Sequence, residues 1–194
     1  PLLRAQTAPA EAADAGTMAV YRDQLAEIDA DLARGVIDTA EDDGRVFVVT
    51  RWLAGSPLSE RLAVAPLEGD EARLVVAAVA QALAAAADEG VHHLVLDPRD
   101  VLLTEYGVVV VGIGVRAALE GVTADDDAEH VDAWRIGALL YAALTAKWPG
   151  YPCAGLPGAP VVGGRVASPR QVRAGVPGDL DDPGLEPRVQ RLAQ

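Results

Sequence analysis

Residues 90–107 read Gly-Val-His-His-Leu-Val-Leu-Asp-Pro-Arg-Asp-Val-Leu-Leu-Thr-Glu-Tyr-Gly, and how this stretch is read decides the fold. It opens where the strongest helical signal stops. Over Glu71 to Glu89, Leu74, Ala78, Val79, Ala82, Leu83 and Ala86 recur at i, i+3 and i+4, and Gly90 ends the pattern. The small alanine face predicts close approach by another element. Within and just beyond the stretch, Val101–Leu103 and Val108–Val111 are short apolar runs joined by Glu105-Tyr106-Gly107, which predicts a hairpin. A second buried helix is predicted over Val131 to Leu144, with Ile136, Leu139, Leu140, Ala143 and Leu144 apolar.

Upstream, Leu2 to Gln6 reads as a short strand and Met18 to Ala33 as an amphipathic helix closed by Gly35. Val36 to Thr39 and Val46 to Trp52 are strand candidates around the Asp43-Gly44 turn. Ser56 to Leu62 suits a short helix capped by Ser56 or Pro57. Beyond Trp148 the chain is rich in Gly and Pro, with weak helical signal at Pro169 to Val172 and Leu185 to Leu192. The order is a strand–helix–hairpin portion followed by a mostly helical one, an α+β arrangement of two unequal parts.

At 194 residues and 51% hydrophobic, the chain is large and apolar enough for a core. A net charge of −13 repels phosphate backbones and anionic lipid, so neither nucleic acid nor peripheral membrane docking is expected. The single cysteine, Cys153, can form neither an internal disulfide nor a zinc site, which reads as cytoplasmic. No run is long enough to span a bilayer. The chain opens at Pro1 without an initiator Met and reads as an excised piece of a longer protein, so any membrane tether is expected outside it.

Two motifs compete for attention. Val108 to Ala117 is a strand followed by Gly112-x-Gly114-x-x-Ala117, the pattern of a dinucleotide-binding turn. That chemistry needs a second parallel strand ending in an acid, and no apolar strand precedes Glu120 or Asp125 to Asp127. His92-His93, taken as strand residues, would point to opposite faces, which suits no single metal.

The stretch from Gly90 to Gly107 is also similar to the catalytic-loop region of bacterial serine/threonine protein kinases, Gly-Val-x-His-Arg-Asp-Leu-Lys-Pro-x-Asn-x-Leu-Leu after a long helix. Val131 to Thr145 resembles that family's central buried helix, and Asp38 to Gly55 its hairpin leading into the hinge. The resemblance implies a kinase-like fold: a truncated small N-lobe over 1–53, hinge included, and a mainly helical C-lobe over 54–194. It puts Thr50 at the gatekeeper position, Arg51 to Leu53 in the hinge, and Arg4 in place of the ATP-clamping Lys. The partner acid of that Lys stays open among Asp23, Gln24 and Glu27.

The departures from the family pattern shape the functional expectation. Phosphoryl transfer needs a base, metal ligands and a Lys clamp. His93 keeps the family's His, while Leu94 stands for its Arg and Val95 for its catalytic Asp. Asp97 replaces the phosphate-contacting Lys, and Asp100 replaces the metal-binding Asn and could still hold a cation. The metal-binding Asp-Phe-Gly is represented by Gly112-Ile113-Gly114, and the Gly-rich phosphate loop expected before the Arg4 strand is not within these 194 residues. The span from Gly114 to Asp132 is too short for a full activation segment. Asp132 is kept, and in the family it hydrogen-bonds the catalytic-loop backbone.

Within the family the likeness is greatest to the cytoplasmic pseudokinase domain of actinobacterial MviN-type membrane proteins of peptidoglycan-precursor export. The resemblance implies a catalytically inactive regulatory or scaffold module, not an enzyme, with no metal and no cofactor. Its partners would be proteins: a true kinase, or a forkhead-associated (FHA) domain that reads a phosphothreonine, for which Thr123 is the candidate. The alternatives are a residual ATP binder or weak kinase using Arg4 and Asp100, and a dinucleotide-binding enzyme.

Overall fold

The computed structural model describes residues 4–7, 36–42, 45–50, 52–125 and 127–182, with side chains described from Val48 onward. The β-branched and aromatic run Arg45–Thr50 forms a strand, β3, at the centre of a three-stranded antiparallel sheet. β1 (Arg4–Thr7) flanks it on one side and β2 (Val36–Asp42) on the other. Register places Arg4 opposite Thr50, and Val36 opposite Thr50 on the far side, with an irregularity between Val36 and Asp38. β3 ends at Thr50, two residues short of the expected Trp52. The expected helix over Met18 to Ala33, its Gly35 stop, Asp23, Gln24, Glu27 and the Asp43-Gly44 turn lie outside the described residues.

The next helix, α1 (Leu58–Val64), starts two residues later than the sequence suggests. Ser56–Pro57 is instead a short strand, β4, paired with Leu102 and Leu103. Proline's fixed φ, −59° here, is compatible with that extended conformation, and Pro57 then precedes the first turn.

α2 (Gly69–Asp88) buries Ala72, Val75, Val76, Val79, Leu83 and Ala86. Leu74, assigned to the buried face from its spacing, is exposed. Val79, Leu83 and Ala86 of the expected face are buried, and that face extends to Val75 and Val76 instead of Leu74, which buries more branched surface. Gly90, at φ +73°, closes α2: its N–H bonds Ala87 O, and Val91 N–H bonds Ala86 O. This paired return satisfies two orphan carbonyls and needs a left-handed residue at Gly90.

β5 (Val101–Thr104) and β6 (Gly107–Val110) form the expected hairpin, joined to β4 in a second antiparallel sheet. A short helix, α3 (Val115–Leu119), follows and was not visible in the sequence pattern. α4 (Ala128–Thr145) packs on α2, and among its buried residues Ala138, Ala142 and Ala143 have no exposed surface. The main core joins Leu58, Leu62, Val79, Leu83, Leu96, Leu139 and Leu144. Trp134 meets Trp148 edge to face, with centroids 6.4 Å apart and planes at 79°. Val48 of β3 is buried against Val115, which ties the first sheet to α3.

In the Gly- and Pro-rich remainder, Val161–Val162 (β7) and Arg165–Val166 (β8) form a hairpin turned by Gly163-Gly164, both at positive φ. α5 (Pro169–Val172) is a single turn closed by a Ser168–Gln171 capping box, and a 3-10 turn covers Gly178–Leu180. The Leu185 to Leu192 signal lies outside the described residues. Among the described residues no helix is long and apolar enough to cross a membrane.

Candidate functional site: a buried carboxylate–arginine cluster

The chain from Val91 to Asp100 is a loop, so His92 and His93 do not sit on a strand as assumed from their spacing. His93 is fully buried, and its Nε2 lies 3.1 Å from Val111 O. Burial pushes the pKa of His93 down, so the ring is neutral and Nε2–H donates to that carbonyl. Its Nδ1 has no hydrogen-bond partner among the described residues. His92 lies with Nδ1 3.4 Å from Oδ2 of Asp132.

Asp132, at the start of the second turn of α4, anchors this loop. Its Oδ2 accepts the His93 N–H at 2.9 Å and its Oδ1 accepts the Leu94 N–H at 2.7 Å. Leu94 holds a left-handed φ of +61°. The Leu94 carbonyl accepts from Arg135 Nε at 3.2 Å. Val95 is buried in a small apolar cluster with Leu94, Ala117 and Ala128.

Residues 97–100 form a tight turn. Asp100 N–H bonds Asp97 O at 3.0 Å, and Asp97 N–H bonds Asp100 Oδ2 at 2.8 Å. Pro98 occupies the second position, where its φ suits the turn. Both carboxylates are buried, Asp97 at 1% exposure and Asp100 at 6%. Arg99 wraps back on Asp97, donating its backbone N–H at 2.8 Å and Nη2 at 2.6 Å.

Arg116, one residue into α3, completes the cluster. Its Nη2 sits 2.8 Å from Asp97 Oδ2, its Nη1 pairs with Asp100 Oδ2, and its Nε donates to Glu120 at 2.9 Å. Burial opposes the Asp97 charge, but the Arg99 and Arg116 contacts outweigh it and hold that carboxyl below its usual range. Asp100 is pushed up to about 7, first by burial and then by the neighbouring Asp97 charge, with Arg116 only partly offsetting them. Asp100 and Asp97 together raise the Arg116 pKa against its own burial. Cys153, a free thiol raised by burial, has Sγ 3.9 Å from Asp97 Oδ2.

Gly112 follows β6 at φ +81°, and Gly114 caps α3 at φ +69°. The Gly112-x-Gly114-x-x-Ala117 motif therefore lies between an antiparallel hairpin and a helix of five residues. A dinucleotide turn needs a parallel sheet and a full helix N-terminus, so that alternative is ruled out. Thr50 is half-buried at the end of β3, and Leu53 is half-buried in the segment that follows. Arg51 lies outside the described residues, and Arg4 is placed only by its backbone pairing with Thr50. Thr123 is exposed between α3 and α4.

The loop thus brings His93, Asp97, Asp100 and Gly112 together. It leaves Thr123 apart, on the surface. Arg99, Arg116, Arg135 and Glu120 were missed from sequence. Only the i, i+4 spacing of Arg116 and Glu120 carried a signal, and it needed α3 to be recognised.

Solved structures share this arrangement of elements. The PknI kinase domain of Mycobacterium tuberculosis, as a single-substitution mutant, matches with a TM-score of 0.65 at 21% identity. The match covers 96% of this chain and 77% of that one. A double mutant of the same domain matches with a TM-score of 0.67 at 18% identity, covering 96% and 79%. The fold is that of a protein kinase domain. No protein-family model and no curated relative matches the chain.

This kinase likeness corrects one expectation. The departures at Val95, Asp97, Asp100 and Gly112 led to the reading that the chain is not an enzyme. The structures that share its fold are kinase domains, so that exclusion is withdrawn.

A kinase fold implies Mg²⁺ with ATP, and the residues present offer that metal few free ligands. Gly112 offers no carboxylate, and Asp100 is taken up by Arg116. Among the described residues no group of three or more His, Cys, Asp or Glu side chains is placed to hold a metal. The cluster as folded does not fit the ion.

Proposed function

We propose that this kinase-fold domain works as a regulatory or scaffold module that engages protein partners, in the control of cell-wall synthesis. The observation that carries this reading is the Arg116 contact with Asp97 and Asp100. It commits the loop's polar groups to one another, while Thr123 is presented in an exposed segment between two helices. A phosphate on Thr123 adds about two negative charges and three acceptor oxygens, the chemistry that phosphothreonine-reading domains recognise. The partner classes are a serine/threonine kinase that places the phosphate and an FHA domain that reads it. By the same resemblance, the domain acts on the cytoplasmic side, tethered to a membrane through a segment outside this chain.

The test has two steps. The purified domain is incubated with an active serine/threonine kinase and the modified residue is read by mass spectrometry. Calorimetry with a purified FHA domain then compares the modified, unmodified and Thr123→Ala proteins. The reading expects phosphate at Thr123 and saturable binding of the modified form alone. Equal binding of all three forms would refute it.

A second reading, residual ATP binding with weak phosphoryl transfer, is favoured by the kinase-domain neighbours. It expects Mg²⁺-dependent label transfer from ATP that falls in Asp100→Ala.

A further inference from the structure

We propose that the basic, apolar surface of the β7–β8 hairpin docks the acidic segment that precedes α4 in a second copy of this chain, a head-to-tail contact between copies. Charge is unevenly placed along the sequence. Residues 133–178 carry five basic side chains, Arg135, Lys147, Arg165, Arg170 and Arg173, and no acidic one, in a chain of net charge −13. The acidity is therefore concentrated outside that stretch. On the hairpin, Val161, Val162 and Arg165 are exposed, and Arg170 is exposed on α5 just beyond it. Among the described residues neither Arg165 nor Arg170 makes an ion pair, and β7 and β8 pair with no other strand. The hairpin thus offers unpaired edges, apolar side chains and unpaired positive charge together.

The charge selects the occupant: an acidic segment with an apolar residue, and this chain carries one. Glu120, Asp125, Asp127 and Glu129 are exposed around Val122, itself 40% exposed. Val122 to Asp125 belongs to no helix or strand, so this stretch is free to lie along a hairpin edge. Within one copy the two surfaces are held apart. The acidic segment enters α4 at Ala128, whereas α5 is tied to the other end, where Arg173 Nη1 donates to Leu144 O at 3.3 Å. At 1.5 Å per residue the 18 residues of α4 separate its ends by about 27 Å. No ion pair among the described residues joins the two surfaces. Contact is therefore made between copies, and it is heterologous, since each copy presents a different surface to each neighbour.

Sedimentation velocity of the unmodified domain tests this, over a concentration series reaching about 1 mM. At about 0.1 M NaCl, repulsion between acidic copies is screened beyond about 10 Å while contact pairs persist. The wild type is expected to gain mass with concentration. Arg165→Glu with Arg170→Glu is expected to stay monomeric, and so is Asp127→Lys with Glu129→Lys. An equimolar mixture of these two charge-reversed proteins should associate again, because each supplies the surface the other has lost. Circular dichroism establishes that each variant is folded. Should a reversal prevent folding, the neutral pairs Arg165→Gln with Arg170→Gln, and Asp127→Asn with Glu129→Gln, are held to the same loss of association. A wild type that is monomeric throughout the series would overturn the inference, as would association that survives either change or a reversed mixture that stays monomeric. The contact uses neither phosphate nor a foreign protein, so its failure leaves the regulatory reading standing.

Discussion

The backbone N–H of Leu94 donates to Oδ1 of Asp132 at 2.7 Å, across a sequence separation of 38 residues. Leu94 is held at φ +61°, a region that costs a side-chain-bearing residue about 1–3 kcal/mol. The bond from α4, with its twin to His93, secures the loop in that strained shape.

Asp132→Ala should therefore be severe. It leaves two buried N–H donors without an acceptor, each worth about 1–3 kcal/mol. Urea denaturation is expected to show a loss of roughly 2–5 kcal/mol, and Asp132→Asn, which keeps one carbonyl acceptor, a smaller one. A loss below about 1 kcal/mol for the alanine variant would mean the loop holds itself.

Asp100 gives a signed pH dependence. Its folded pKa, about 7, is above the unfolded carboxylate value, so between roughly pH 4 and 7 the native state binds the extra proton. Its contribution is present at low pH and is lost as pH rises through 7. His93 acts in the opposite direction below its unfolded pKa, because burial lowers its own value. Asp97, held below its usual range, contributes stability that is lost only at still lower pH. Comparing Asp100→Asn with wild type isolates the first effect. The wild-type minus variant stability should fall between roughly pH 4 and 7 by on the order of 4 kcal/mol. A flat difference would place Asp100 in an ordinary carboxylate range.

Gly112→Asp should not rebuild a metal ligand. The new side chain starts at φ +81° with its Cβ against the Arg116 stem. Thermal melts are expected to show a loss of about 1–3 kcal/mol, with no gain in stability on adding Mg²⁺.

Ala138 has no exposed surface in the core that joins α2 and α4. Ala138→Leu should cost about 1–3 kcal/mol by forcing the helices apart. A neutral effect, read by denaturant midpoint, would show slack in that interface.

Much of the scaffold was legible because its signals are local. The period of α2 and α4, the Gly90 stop and the Glu105-Tyr106-Gly107 turn are all written in contiguous residues. The expected face of α2 holds at Val79, Leu83 and Ala86 and fails only at Leu74, because alanines at successive turns leave the edge of the face undefined and tertiary packing placed Val75 and Val76 there instead. The Gly163-Gly164 hairpin was hidden in a segment whose glycines suggested only loop. The loop residues of the candidate site were found because the kinase resemblance aligned them. Arg116 was not, because its role depends on α3 delivering it to Asp97 and Asp100. That juxtaposition leaves no mark in sequence spacing.

The central proposal is that the domain engages protein partners through the exposed segment that carries Thr123. The measurement is the affinity of the Thr123-phosphorylated protein for a purified FHA domain, taken with and without saturating ATP and Mg²⁺. The same dissociation constant is expected in both, within about twofold, a difference of about 0.4 kcal/mol. An affinity that requires ATP and Mg²⁺, or is abolished by them, would contradict the claim.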